Sequence, residues 1–272
     1  MLKKIGSFLI GFVAVFIIGL FSILLAVRMF FSPASMAKVG KVMLEEEINW
    51  NDEGFEYLDK DLLIDEMGKF MSDYFRYVGG APGAAKPTTE GFIKVIDEMV
   101  EKYEEENNVE VADDNDIQEL YDELEYSLDD LVNEPIDEDV KLVFGIVYSQ
   151  PLFIGLIVAF IGCILLNYLL RKDWFIIMKH TGITVLLNAI IFVACGLLVN
   201  SVIEAELEDA ADMALASAFS SNFFTVGIVS LISAVALIIL SIVLKKNSND
   251  FDKNLNNNMM NSNMNNSNIN NM

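Results

Sequence analysis

Apolar positions in this chain follow two different patterns. In four stretches they run almost without interruption: Ile5–Val27, Leu152–Leu170, Thr181–Ile203 and Phe223–Leu244. A helix needs roughly 20 apolar residues to cross the hydrocarbon core of a bilayer, because backbone groups there can satisfy only one another. Each stretch is close to that length, so the pattern predicts four transmembrane helices. Arg28 closes the first, where its stem can snorkel outward, and Pro151 marks the start or a kink of the second. Ser35-Met36-Ala37 offers a small-x-small cleavage sequence. The first run nevertheless exceeds the roughly 7–15 apolar residues of a signal peptide, so a retained anchor is expected.

Between the first and second stretches the apolar residues recur at helical spacing instead. Phe55, Leu58, Leu62, Met67, Phe70, Met71, Tyr74, Phe75 and Val78 mark one amphipathic helix, which Gly79-Gly80-Ala81-Pro82-Gly83 ends. Phe92, Val95, Ile96, Met99, Val100 and Tyr103 mark a second. Ile117, Leu120, Tyr121, Leu124, Leu128 and Leu131 mark a third, stopped near Pro135, with Asn115 and Gln118 spaced as a capping box. Met36–Trp50 adds a further helix at or just after the first span. Strand-like alternation is absent. The expected fold is an all-α integral membrane protein, four transmembrane helices with a small helical extracytoplasmic domain inserted after the first.

Charge supplies the orientation. Residues 32–143 hold 32 of the 40 acidic side chains against 9 basic ones, a local balance of −23 within a total of −22. Lys3 and Lys4 precede the first span, Arg171, Lys172 and Lys179 lie between the second and third, and Lys245 and Lys246 follow the fourth. The segment between the third and fourth carries only acids: Glu204, Glu206, Glu208, Asp209 and Asp212. Basic loops stay in the cytoplasm, so both termini are expected there. The resulting order is a first span within 1–31, an acidic extracytoplasmic domain over 32–143 and a second span within 144–170. A cytoplasmic loop (171–180), a third span (181–203), an acidic extracytoplasmic loop or helix (204–222) and a fourth span (223–244) follow. The tail, 245–272, has 13 asparagines in its last 26 residues and no apolar face, so it is expected to be disordered. Glu204–Phe219 alternates acidic and apolar faces, and either continues the third helix outward or lies on the outer membrane surface. The anionic surface makes nucleic-acid binding an unfavourable function.

The residue inventory limits the chemistry. His180 is the one histidine, at the cytoplasmic border, and cannot by itself build a zinc site or a Ser-His-Asp triad. Cys163 and Cys195 differ in expected depth by about 12 Å at ~1.5 Å per residue, too far for a disulfide. EF-hand spacing fails from Asp113, where position 5 is Ile117, and from Asp59, where it is Leu63. Dense carboxylates still suit weak divalent binding, with Glu101, Glu104, Glu105, Asp113, Asp116 and Glu119 the candidate ligands. No cofactor site is expected, and no span has a charged centre of the kind proton relays use. Asn188, near mid-bilayer, is expected to face another helix. Gly155, Ala159 and Cys163 on the second span, and Ser230 with Ala234 on the fourth, form small-residue stripes suited to close helix approach.

One span, an extracytoplasmic domain and three more spans resembles the FtsX and MacB type of ABC-transporter permease. Arg171–Thr184, RKDWFIIMKHTGIT, looks like the coupling segment those proteins place after their second span. The resemblance implies a permease subunit working with a partner ATPase. The residues read on their own lead first to a different expectation: a non-enzymatic sensor, scaffold or accessory protein. Its partners would be the lipid bilayer and a further membrane protein, met through the acidic domain.

Overall fold

A computed structural model describes residues 2–47, 57–107, 114–206 and 210–269. Among these the chain is all α-helix, without a strand: α1 (Leu2–Phe30), α2 (Pro33–Glu47), α3 (Lys60–Val78), α4 (Glu90–Asn107), α5 (Asp114–Asn133), α6 (Glu138–Tyr148), α7 (Gln150–Arg171), α8 (Trp174–Glu206) and α9 (Ala210–Ile269). Four helices are long and apolar enough to cross a membrane, over Ile5–Phe30, Gln150–Arg171, Trp174–Ser201 and Asp212–Lys246. The shortest has 22 residues. At ~1.5 Å per residue that is about 33 Å, sufficient for a ~30 Å hydrocarbon core.

Local chemistry explains the breaks. Ser32 starts α2, its carbonyl accepting from Ser35 and Met36 while Pro33 takes the first helical position. Asp59 caps α3 by accepting from the Leu62 amide at 3.0 Å. Gly80, at φ 61°, adopts the left-handed conformation that carries the chain away from α3. Asp173 accepts from the amides of Phe175 and Ile176 at 3.0 and 3.1 Å, starting α8.

Several boundaries differ from the sequence expectation. The loop placed at 171–180 shrinks to Lys172 and Asp173, because the Asp173 cap starts α8 at Trp174. The fourteen residues likened to a coupling segment are therefore mostly the first turns of α8. Phe144–Tyr148 end a separate helix, α6, rather than beginning the second span; Ser149 leaves helical geometry before α7. Within 204–222, α8 is described to Glu206 and α9 from Ala210, and residues 207–209 lie outside the described residues. The tail expected to be disordered is helical through Ile269 as a continuation of α9. The Asn115 side chain of the expected capping box lies outside the described residues; Gln118 Nε2 donates to Asp122 Oδ1 one turn on at 2.8 Å. Trp50 and Phe55 lie outside the described residues.

The chain divides into two compact units, and α1, α7, α8 and α9 contribute to both. The first comprises Met1–Leu20, Leu156–Phe192 and Gly227–Met272. Many of its large apolar side chains point outward, Phe8 73% exposed and Leu169 67%, while Asn188 is 3% exposed and Ser7, Thr184 and Ser241 are buried. Such an inverted arrangement suits lipid, where packing rather than hydrophobicity joins helices and polar groups bond across them. Asn188 Nδ2 donates to the Val15 carbonyl on α1 at 3.2 Å. Ser241 Oγ donates to the Phe175 carbonyl on α8 at 2.8 Å. A Cβ on Gly182 would stand 2.7 Å from Ile238 Cγ1, so α8 and α9 approach closely there.

The second unit comprises Phe21–Gly155 and Val193–Val226. Phe30, Met36, Val39 and Ala218 form its buried cluster, with Phe31, Met71, Phe75 and Phe219 packed around it. Phe31, Phe75 and Phe144 meet as a ring triad with centroids 4.6–5.1 Å apart. The helices α2 and α3 cross at Gly68, where a Cβ would stand 2.5 Å from the Ala37 nitrogen and 2.6 Å from the Pro33 oxygen. Ser72 Oγ donates to the Phe31 carbonyl at 2.7 Å, so α3 is fixed to the end of α1.

Candidate functional site

The acidic candidates separate along two helices. Glu101, Glu104 and Glu105 lie on α4, with Glu101 and Glu105 exposed, and Glu119 is exposed on α5. Asp116 belongs to the first turn of α5, and Asp113 lies outside the described residues. Among the described residues no three His, Cys, Asp or Glu side chains converge as metal ligands would. Glu104 is half-buried, and Val95 is the buried apolar residue of α4.

Tyr121 on α5 donates its hydroxyl to Asp97 on α4, and Lys86, in the connection before α4, pairs with Asp129 on α5. Burial, and then Asp97, push the Tyr121 hydroxyl up to about 12. The Lys86 hydrogen bond holds the Asp129 carboxyl below its usual range, and Lys60 does the same for Glu45. The carboxylates therefore contribute stability above the ordinary acid range that is lost as pH falls. The tyrosine contributes stability that is complete below about 10 and is lost as pH rises through about 12. Alkaline melting should show this directly. The melting temperature should decline across that window, and Tyr121→Phe should flatten the decline.

Both units hold cavities that combine polar and apolar walls. In the first unit a cavity of about 270 Å³ is walled by Phe8, Phe12, Phe160 and Leu187 and has a polar end at Ser7, Asn167, Arg171 and His180. Its polar groups answer one another: Arg171 Nε donates to Ser7 Oγ at 3.0 Å, and Ser7 Oγ donates to Asn167 Oδ1 at 2.6 Å. Cys163 lines the same cavity and is a free thiol; Cys195, free and exposed, belongs to α8 in the second unit.

One cavity of the second unit is built differently. It is an open cleft of about 300 Å³ beside Arg28, Ser32, Ser72, Arg76, Tyr148 and Gln150, and no Asp or Glu stands in its described lining. Arg28 reaches it from the last turn of α1. Its Nε donates to the Val147 carbonyl at 2.6 Å and its Nη2 to the Ser149 carbonyl at 3.3 Å, closing the C-terminus of α6. The same guanidinium lies 4.3 Å from the centre of the Phe153 ring. Arg76 arrives from the last turn of α3, paired with Asp73 at 3.4 Å, both side chains about half exposed. Tyr148 packs its ring against Gly79, where a Cβ would stand 2.6 Å from Cδ2. Its hydroxyl is buried and finds no hydrogen-bond partner among the described residues. Leaving such a group unpaired costs on the order of 1–3 kcal/mol. Burial pushes this hydroxyl up to about 12, although Arg76 and Arg28 both act to lower it, so it remains a donor at neutral pH.

Sequence reasoning found Arg28 only as the end of a span and passed over Arg76 and Tyr148. A clue was present: residues 32–143 contain one arginine, Arg76, in a strongly acidic setting. The stripes it named also divide. Ala234 is fully buried, whereas a Cβ on Gly155 would meet nothing within 4 Å and Ala159 is exposed. The close approaches use Gly182 and Gly196, which with buried Ala189 recur every seven residues along α8. The chain matches no family model, no curated protein and no solved structure.

Proposed function

We propose that this chain is a non-enzymatic membrane scaffold, with both termini in the cytoplasm and α2–α6 outside it. Its acidic helices serve as a docking face for a partner that carries positive charge. The supporting observation is how the carboxylates are mounted. Glu101, Glu105, Glu119, Asp122, Glu123 and Glu125 project into water from α4 and α5. The unit that bears them is tied to the ends of membrane helices through Ser72 to Phe31, and through Arg28 to Val147 and Ser149. A charged surface on a braced support presents a fixed electrostatic pattern, which favours selective docking over a loose tether. The side assignment follows the basic residues that flank the spans at Lys3, Lys4, Arg171, Lys172, Lys179, Lys245 and Lys246.

A photoreactive residue at Glu105 or Glu123 in living cells should capture one discrete membrane-associated protein. Glu101→Lys with Glu119→Lys should remove that product while leaving the melting temperature near wild type. Crosslinks confined to lipid, or a product indifferent to charge reversal and to salt, would overturn the docking role. The permease reading makes a separate demand: an ATPase bound stoichiometrically through the Lys172–Asp173 turn and the start of α8.

A further inference from the structure

The arginine cavity of the second unit stands apart from its surroundings. Residues 32–143 carry −23, yet here two guanidinium groups meet a buried hydroxyl without a carboxylate in the described lining. Arg28 has five N–H donors, and the two bonds to Val147 and Ser149 leave others for a ligand. Arg76 holds Asp73 in a water-exposed pair, a contact weak enough to be exchanged. Tyr148 Oη has a proton to donate and no partner among the described residues. Guanidinium groups with a hydroxyl donor form the chemistry that recognises a phosphate oxyanion.

The level of the cavity identifies the source of that oxyanion. Arg28 and Phe31 stand at the end of the first apolar span, Ile5–Phe30, and Gln150 begins the second, Gln150–Arg171. Both span ends lie at headgroup depth when the helices cross a bilayer. A free phosphate would have to approach through the field of the surrounding carboxylates. A lipid phosphate is already held in the membrane plane, at high effective concentration. We propose that the cavity holds the phosphodiester of a membrane phospholipid, neutralised by Arg28 and Arg76 and hydrogen-bonded by Tyr148. This inference does not depend on the docking role of the acidic face.

The test uses the full chain in mild detergent, with phosphatidylglycerol, diacylglycerol of the same acyl chains, and inorganic phosphate as probes. Phosphatidylglycerol should bind about tenfold or more tightly than diacylglycerol and raise the melting temperature, with inorganic phosphate weaker than either effect requires. Arg76→Gln and Tyr148→Phe should each reduce phosphatidylglycerol affinity to near that of diacylglycerol. Without lipid, Tyr148→Phe should melt at or above wild type, because it removes an unpaired buried hydroxyl; a purely structural hydroxyl would leave lipid affinity unchanged. Equal affinity for the two lipids, or wild-type affinity in both variants, would overturn the site. Stabilisation by inorganic phosphate equal to that by phosphatidylglycerol would overturn the lipid source.

Discussion

Replacing Gly68 by alanine should lower the melting temperature sharply, the opposite of what alanine ordinarily does within a helix. The new Cβ would stand 2.5 Å from the Ala37 nitrogen, 2.6 Å from the Pro33 oxygen and 2.7 Å from the Ala37 Cα. Carbon contacts are comfortable near ~3.5–4.0 Å, and these neighbours are backbone, so no rotamer change relieves the clash. The helices α2 and α3 would have to separate by about 1 Å, loosening the cluster of Met36, Val39, Met71 and Phe75. Overpacking of this kind costs ~1–3 kcal/mol and occasionally more, and Gly68→Leu should exceed it and prevent the unit from folding. Gly145 on α6 is the control. A Cβ there meets nothing within 4 Å, so Gly145→Ala should be neutral or stabilise by up to about 1 kcal/mol. If Gly68→Ala melts with or above wild type, the α2–α3 crossing is not as close as described.

Arg28→Met should produce the second large effect. It removes both donors to the Val147 and Ser149 carbonyls together with the stacking on Phe153. Bonds from a charged donor contribute ~1.5–3 kcal/mol each and a cation–π contact ~0.5–2 kcal/mol. These act on one side chain and are not additive, so a net loss of about 3 kcal/mol is expected. Arg28→Lys should recover only part of it, since an ammonium cannot span two carbonyls while lying over a ring. Protease cleavage near Glu138–Tyr148 should increase in parallel, because Arg28 closes that helix. Wild-type melting in Arg28→Met would mean that the guanidinium decorates the surface rather than bracing α6.

Much of this architecture is written in the apolar pattern. Continuous runs gave the four long helices, and helical periodicity gave α3, α4 and α5 to within a few residues at their described ends. Those signals are local and depend on many residues at once. The separation of α6 from α7 depends on few: Ser149, leaving helical geometry beside Pro151 in a stretch apolar on both sides. The early start of α8 depends on the side chain of Asp173 alone, which charge counting reads as loop. The arginine cavity was illegible for a different reason. Arg28, Arg76 and Tyr148 are separated by 48 and 72 residues, and only the α1–α2 turn and the packing of α3 against α6 bring them together. Asn188 was legible because an amide deep within an apolar run must find a partner, and it finds the Val15 carbonyl.

The proposed topology puts α2–α6 outside and both chain ends in the cytoplasm. It is tested most directly by thiol accessibility in intact cells. With Cys163 and Cys195 replaced by alanine, single cysteines at Lys86, Asp212 and Ser248 would be exposed to a membrane-impermeant maleimide. Labelling is expected at positions 86 and 212 in intact cells, and at 248 only after the membrane is permeabilised. Protection at 86, or labelling at 248 in intact cells, would contradict it.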